Sequence, residues 1–358
     1  MMITISLVSL VWVGVAYVLG GESFFIIWLG AELVSLVVMM LVISGGNGMT
    51  QGGLVVRKMN TMMKYMLVQM TMGGVLLMLI MVKEFGSVFT SSGGSVYLSL
   101  GLIVILSVKM GVFPGHTWVV DVFSGLSLFE CFLIGVLPKF GLYVLLFNFF
   151  DFSHEGLCYV VLSVGFLSVL VGGVLGCSYS DVRCVMGCSS IVGGGWLMIG
   201  LGGCYYWMFL LGFSYYIIVV FVLLEYLTGA LGVFEVFGPA QLGGTSGVRG
   251  QLGVESGVLN LLLLGFVGVP CSLVFFFKLI MVVSGAVVGP WLVVCTMIGG
   301  VVSVVMYQRI ASVSWMCDSG GSVVWVCSDG NSARLGGFAL VFSVLFLFLN
   351  FVLFFYYM

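Results

Sequence analysis

Residues 24–44 read FFIIWLGAELVSLVVMMLVIS, a run of spanning length in which Glu32 is the one ionisable residue. A membrane-spanning helix needs about 20 mostly apolar residues, so this stretch is predicted to cross a bilayer. A charge at that depth costs about 2.5 to 3.5 kcal/mol on insertion scales and marks ion or proton pathways. Lys109, Lys139 and Lys278 lie in similar apolar stretches. An acid and three lysines at this depth indicate proton or ion movement; for Glu32, the alternative is a static hydrogen bond between helices.

The composition is that of a polytopic membrane protein. Of 358 residues, 62% are hydrophobic and 7% are charged, and the mean hydropathy is +1.31. A soluble domain carries about 25% charged residues. The 53 glycines suit helices that pack closely in lipid. The net charge of −2 leaves no basic face for nucleic acid, so nucleic acid is not an expected partner.

The cysteines and histidines indicate no redox centre. The ten cysteines form no C-x-x-C pair and are interpreted as small apolar fillers of helix interfaces. The two histidines, His116 and His154, are too few and too far apart for haem or zinc. No polar stretch is long enough to hold a redox cofactor. We therefore expect neither a metal nor a cofactor in this chain.

Hydropathy predicts an all-α, single integral membrane domain with about eleven spans. The uncharged run 184–224 is too long for one span and is divided near Gly202-Gly203. The predicted limits are about 3–20, 24–44, 60–82, 97–115, 124–148, 157–178, 184–202, 205–227, 257–281, 284–308 and 337–357.

The basic residues give this count a topology. If the loops alternate between the two faces of the membrane, the long polar loops, about 45–59, 235–256 and 309–336, all fall on one face. The same face carries six basic residues: Arg57, Lys58, Arg183, Arg249, Arg309 and Arg334. Lys83 alone falls on the other face. The positive-inside rule makes the first face the inner one. The amino terminus is then inside and the carboxyl terminus outside, and Lys58, in a loop, should tolerate substitution.

Two apolar spans are interrupted by glycine and proline. In Lys109-Met-Gly-Val-Phe-Pro114-Gly-His116, a proline between two glycines predicts a broken helix within the membrane. A simple proline kink with a snorkelling lysine is the alternative. In the second half, Gly265-Phe-Val-Gly268-Val-Pro270-Cys-Ser272 precedes Lys278. One interrupted span in each half is the sequence pattern of an inverted-repeat transporter and points to its binding site.

Lys139 follows Pro138 in the middle of the fifth predicted span, too deep to reach the surface easily. Burial disfavours the charged form of a lysine, so such a group can lose and regain a proton. A carboxylate such as Glu32 next to a lysine acts as a switch, because a change in one proton alters the other group's affinity. The roles of Glu130 and Glu225 are left open. The four groups, Glu32, Lys109, Lys139 and Lys278, are predicted to form one hydrated polar axis parallel to the membrane plane.

The chain also resembles the subunit 2 family of the proton-pumping NADH:ubiquinone oxidoreductase, respiratory complex I, in its mitochondrial form. The resemblance covers about residues 25 to 280. The matching segments are Trp28-Leu-Gly-Ala-Glu32-Leu, Lys64-Tyr-Met-Leu-Val-Gln69, Lys109 to Trp118, Leu137-Pro138-Lys139, Ser189-Ser190-Ile-Val-Gly-Gly-Gly-Trp196, and Gly268-Val-Pro270 through Lys278.

The resemblance implies an antiporter-like fold of two inverted helix bundles, about 60–178 and 184–308, followed by a loop and a carboxyl-terminal helix at 309–358. It assigns Glu32 to the switching carboxylate, Lys109 and Lys278 to the lysines of the two bundles, and Lys139 to the connecting lysine. Pro114 and Pro270 mark the two helix breaks, and His116 takes the place of a histidine in the proton path.

The resemblance further implies a multi-pass subunit of the mitochondrial inner membrane, with its amino terminus on the matrix side. Its partners would be the other membrane subunits of complex I and lipids. The NAD, FMN, iron–sulfur clusters and ubiquinone of the enzyme would lie elsewhere in the complex. Two alternatives are a stand-alone cation/proton antiporter with the same fold and a structural membrane anchor without transport.

Overall fold

The structure, a computed structural model, describes residues 2–44, 52–85, 92–149, 155–179, 181–202 and 273–319. Within these ranges the regular elements are ten α-helices. They are α1 (Met2–Gly20), α2 (Phe24–Ser44), α3 (Gly52–Phe85), α4 (Ser92–Met110), α5 (Thr117–Ser124), α6 (Leu128–Phe149), α7 (Glu155–Ser178), α8 (Val182–Gly202), α9 (Leu273–Val288) and α10 (Pro290–Ser319). The predicted span 205–227 with Glu225, the loop 235–256, the break at Pro270 and the last span 337–357 lie outside the described residues.

Among the described residues, four helical segments are long and apolar enough to cross a membrane. They are Phe24–Ser44, Val56–Glu84, Gly156–Ser178 and Arg183–Gly202. Shorter apolar helical segments occur at Ser6–Gly20, Val96–Met110, Leu133–Asn148 and Val294–Arg309. The described part of the chain is therefore helical, with segments that can span a membrane, while the count of about eleven spans stays a prediction.

Several predicted boundaries were wrong, two of them because hydropathy detects the apolar part of a helix and not its polar ends. Helix α3 begins at Gly52, so Lys58 lies in a helix and not in a loop. Helix α10 continues to Ser319, through the first part of the predicted loop 309–336. The turn between α9 and α10 lies at Gly289, and not near residue 283. Pro290 begins α10, a position where its missing N–H removes no helical hydrogen bond.

The predicted fourth span, 97–115, ends early, because α4 stops at Met110. Gly111 has a φ of +73°, a left-handed conformation that glycine adopts at little cost. Its N–H donates to the Val108 carbonyl at 3.1 Å, and the Val112 N–H donates to the Ser107 carbonyl at 2.9 Å. These two bonds form a Schellman motif, a common end of an α-helix. Gly111 therefore ends α4, three residues before Pro114.

Glycines bring two pairs of helices into close contact. A Cβ on Gly165 of α7 would lie 2.9 Å from the Gly195 carbonyl of α8, and a Cβ on Gly195 would lie 2.8 Å from the Gly165 carbonyl. Gly14 of α1 and Gly30 of α2 are paired in the same way. Such contacts let helix backbones approach where lipid offers no hydrophobic driving force. Helix α7 also packs against α10, and α2 packs against α3 and α6.

Helix α8 lies among α5, α6, α7 and α9, and most of its side chains are buried. Two apolar clusters fill the described part of the chain. One joins α2, α3, α5, α6, α8 and α10, and the other joins α1, α2, α3, α4, α6, α7, α8 and α9. The buried lysines of the sequence therefore lie inside packed helices and not on a lipid-facing surface.

Candidate functional site

The structure pairs Glu32 with Lys109. The Lys109 Nζ donates to the Glu32 Oε1, although the two residues are 77 positions apart in the chain. The Lys109 side chain is 1% exposed and that of Glu32 is 14% exposed. Helix α2 supplies the carboxylate, and the next-to-last residue of α4 supplies the ammonium group. Because an isolated charge at this depth is costly, each group compensates the other.

The last turn of α4 and the segment after it are each held by a side chain of another element. The Phe113 N–H, which would bond the Lys109 carbonyl in a continuous helix, donates instead to the Ser168 Oγ of α7 at 3.1 Å. The Trp118 indole N–H donates to the Val108 carbonyl at 2.9 Å. These contacts satisfy part of the backbone that the end of α4 leaves free.

A face of α3 lies against the Glu32–Lys109 pair. The Gln69 amide Nε2 donates to the Lys109 carbonyl at 3.3 Å. One turn later, a Cβ on Gly73 would overlap the Glu32 carboxylate, so this position leaves room for it. One turn earlier, Tyr65 is buried within electrostatic range of Glu32. Tyr65, Gln69 and Gly73 are spaced four residues apart and therefore share one helix face.

Lys139 lies on α6 and is buried. Its Nζ donates to the Ser190 carbonyl of α8 at 3.1 Å. One turn further along α6, the Tyr143 hydroxyl donates to the Gly194 carbonyl at 3.3 Å. A Cβ on Gly194 would meet this hydroxyl at 3.1 Å and the Val112 Cγ2 at 2.9 Å. Gly194 therefore lies where α6 and the segment after α4 both meet α8.

Lys278 lies on α9, with its Nζ 5.6 Å from the centre of the Trp196 ring of α8. A lysine at this distance from an indole face makes a cation–π contact. Lys139 and Lys278 thus contact positions 190 and 196 of the same helix, which are about 9 Å apart along its axis at 1.5 Å per residue. Helix α8 is therefore the element that both lysines contact.

The other predicted site residues lie around the end of α4. Pro114 lies in the non-helical segment between α4 and α5. His116 precedes α5, with its ring 6.1 Å from the Phe113 ring and its Nδ1 3.2 Å from the Pro114 carbonyl oxygen. Pro270 falls outside the described ranges. Within those ranges, no group of three or more His, Cys, Asp and Glu side chains could hold a metal ion.

A second ion pair was not predicted from the sequence. The Lys58 Nζ of α3 donates to the Glu130 Oε1 of α6, and the two side chains are 10% and 12% exposed. The other carboxylate oxygen of Glu130 accepts from the Ser127 N–H at 3.0 Å, which caps α6. The positive-inside rule places Lys58 in an inner loop and does not predict a partner for it. The available signal was Glu130 itself, an acid near one end of the fifth predicted span and in the first turn of α6.

Sequence comparison relates the chain to one transmembrane family. The family model described as "NADH:quinone oxidoreductase/Mrp antiporter, TM" matches residues 21–305. The chain is 31% identical over 192 residues to NADH-ubiquinone oxidoreductase chain 2 of Strongylocentrotus purpuratus, covering 52% of this chain and 50% of that one. For the chain 2 protein of Albinaria caerulea the identity is 28% over 210 residues, covering 57% and 62%. The chain therefore spans only about half to three-fifths of the curated relatives it matches.

Solved structures share the fold. A chain of an archaeal membrane-bound sulfane sulfur reductase superposes with a TM-score of 0.79 at 17% identity, over 96% of this chain and 72% of that one. Respiratory complex I from Thermus thermophilus gives 0.72 at 18% identity, over 97% and 78%. The Mrp complex from Dietzia sp. DQ12-45-1b gives 0.71 at 16% identity, over 91% and 62%. Because the family model matches residues 21–305, most of its length, the chain belongs to the NADH:quinone oxidoreductase/Mrp antiporter transmembrane family.

Proposed function

We propose that this chain is a proton-translocating, antiporter-like membrane subunit of an NADH:ubiquinone oxidoreductase. The observation that carries this proposal is the buried Glu32–Lys109 ion pair at the end of α4. A carboxylate and an ammonium group in one hydrogen bond can share a single transferable proton. The relatives named NADH-ubiquinone oxidoreductase chain 2 and the fold shared with complex I of Thermus thermophilus support the choice of enzyme.

The proposed chemistry is proton exchange without a covalent step. When Lys109 gives its proton to Glu32, a lysine amine and a neutral carboxyl group replace the ion pair, and the total charge is unchanged. The neutral lysine can then take a proton from one side, and the neutral carboxyl can release its proton towards another group. Lys139 and Lys278, which both contact α8, would extend the path towards the second bundle.

In this proposal, the energy for pumping comes from quinone reduction elsewhere in the enzyme. The chain contributes to the enzyme as a subunit and holds no redox site of its own. NAD, FMN, iron–sulfur clusters and ubiquinone belong to the rest of the complex. The partners are the other membrane subunits and lipids, in the mitochondrial inner membrane.

We also propose two interrupted helices in inverted bundles, and a topology with the amino terminus on the matrix side. The end of α4 at Gly111 and the start of α5 at Thr117 support an interruption in the first bundle. Two contacts support the topology, because each joins segments predicted on the inner face: Lys58 with Glu130, and Arg309 with the Cys177 carbonyl. Labelling of Arg249→Cys from each side tests it, since labelling only from the intermembrane side would contradict the model.

A stand-alone cation/proton antiporter is the second candidate, favoured by the fold shared with the Mrp complex. The two candidates differ in assembly. On a native gel, a complex I subunit migrates with an NADH-oxidising complex, whereas a stand-alone antiporter migrates by itself. Migration of the chain apart from all NADH-oxidising activity would reject the complex I assignment.

Substitution of the lysines tests proton transfer itself. Lys109→Met and Lys278→Met keep length and apolarity but remove the titratable group. In assembled complex, each should lower proton pumping and the coupled oxidation of NADH. Assembled variants that pump at the rate of the unaltered complex would reject proton translocation and leave the structural anchor as the explanation.

A further inference from the structure

The end of α4 leaves the carbonyl of Lys109 without its usual partner. In a continuous helix that carbonyl would accept from the Phe113 N–H, but the Phe113 N–H donates to Ser168 at 3.1 Å. The Schellman bonds of Gly111 and Val112 go to Val108 and Ser107. The donor that reaches the Lys109 carbonyl is the Gln69 amide Nε2, at 3.3 Å.

Gln69 is placed to do more than satisfy one carbonyl. It is 5% exposed, and it lies one turn before Gly73, the position against which the Glu32 carboxylate rests. The backbone of Lys109 and the side chain of Glu32 are thus both held against α3. The distance between the Lys109 ammonium group and the Glu32 carboxylate therefore depends on how α4 and α2 pack against α3.

Two further polar atoms lie on this face. The Gln69 Oε1 and the Tyr65 hydroxyl are buried and have no hydrogen-bond partner among the described residues. Tyr65 lies one turn before Gln69 and is close enough to Glu32 for an electrostatic interaction. Buried polar atoms without a protein partner are commonly satisfied by ordered water.

We propose that Gln69 is a positioning residue for proton transfer, which caps the Lys109 carbonyl and so sets the geometry of the Glu32–Lys109 pair. The Gln69 Oε1 and the Tyr65 hydroxyl bind the water that serves this pair. This inference rests on the proposed function and deepens it. Gln69 itself takes and gives no proton; it acts through Lys109.

The test uses three variants at position 69 in the assembled complex. Gln69→Met has a similar length and no hydrogen-bonding groups, so it should lower the maximal rate of proton pumping. A misplacement of about 1 Å can cost up to 100-fold in rate, and we expect a decrease of about 10-fold. The KM for NADH should stay unchanged, because the substrate binds elsewhere in the enzyme. Gln69→His places a ring N–H at nearly the same distance and should restore most of the rate.

Gln69→Asn covers the case in which the Met variant fails to assemble. Its amide is one methylene shorter and cannot reach the carbonyl, so it should lower the rate as the Met variant does. Thr71→Val is the matched control, since Thr71 lies on the exposed face of α3 and bonds only to its own helix, at Leu67 and Val68. It should pump at the unaltered rate.

The outcomes separate the inference from the proposed function. Assembled Gln69→Met and Gln69→Asn complexes that pump normally, while Lys109→Met does not, would overturn the role of Gln69 and leave the proposed function standing. A His variant as slow as the Met variant would also overturn it, because the hydrogen bond would then not explain the loss. Normal pumping by Lys109→Met as well would reject the proposed function itself.

Discussion

Lys109 and Lys139 are both buried lysines, but the structure compensates them in different ways. Lys109 donates to a carboxylate, whereas Lys139 donates to a neutral carbonyl, that of Ser190. Among the described residues, no carboxylate lies within ion-pair distance of Lys139. Loss of Lys109 therefore leaves an uncompensated buried charge, and loss of Lys139 leaves only a carbonyl with one bond fewer. Substitution of Lys109 should therefore lower both stability and transport, whereas substitution of Lys139 should lower transport with little loss of stability.

The largest loss of stability is expected for Lys109→Met. Removal of one partner of a buried ion pair costs about 3 to 5 kcal/mol, because the other charge stays buried. The midpoint temperature at which the purified complex dissociates should fall clearly. Adding Glu32→Gln should return the midpoint close to the unaltered value, since no charge is then left. A double variant as unstable as the single one would show that the pair does not compensate its charges.

A smaller loss is expected for Lys58→Met, against our sequence-based expectation of little effect. The Glu130 carboxylate keeps its hydrogen bond from the Ser127 N–H when Lys58 is lost, so we expect about 2 kcal/mol, between the values for exposed and buried pairs. The pair lies outside the Glu32–Lys109 site, and proton pumping per NADH should be unchanged. Dissociation temperature and pumping are measured on the same preparation. A large loss of pumping without a loss of stability would place this pair in the transport path.

Lys139→Met should lower stability by only about 1 kcal/mol while it lowers pumping strongly. Ser190 lies inside α8, so its carbonyl keeps the helical hydrogen bond when the lysine bond is lost. The lysine variant that destabilises the complex less would then still block transport. Normal pumping by an assembled Lys139→Met complex would remove Lys139 from the path.

The smallest effect is expected for Lys64→Met. Lys64 pairs with Asp121 at 2.9 Å, but the two side chains are 54% and 61% exposed. An exposed pair contributes about 0 to 1 kcal/mol. The dissociation temperature should therefore shift little, and the pumping rate should be unchanged. A loss comparable to that of Lys58→Met would mean that exposure does not separate these two lysine–carboxylate pairs.

The sequence predicted the parts of the site that follow from the cost of charge in lipid. Glu32 and Lys109 were expected to pair with each other or with other groups, because isolated charges at that depth are unfavourable, and the structure joins them. Gly111 and Pro114 predicted that the helix after Lys109 would not continue. The cause differs in detail, since Gly111 ends α4 before Pro114 is reached.

Contacts between distant segments could not be predicted in the same way. Lys58 and Glu130 are 72 positions apart, and the rule that places basic residues in inner loops says nothing about a partner. Gln69 has a neutral side chain in an apolar span, so the cost of burying charge does not mark it as a site residue. Its spacing of four residues from Tyr65 and from Gly73 was present in the sequence, but only the structure shows which face of α3 meets the ion pair.

The role of the Glu32–Lys109 pair in proton transfer is decided by proton pumping in the double variant Glu32→Gln, Lys109→Met. The substitutions remove both titratable groups while keeping the site neutral and nearly the same size, so assembly on a native gel should be normal. In vesicles that contain the assembled complex, we expect NADH-driven proton uptake to fall about 100-fold, with NADH oxidation falling alongside it. Assembled complexes that pump at the unaltered rate would contradict the claim that this ion pair transfers the proton.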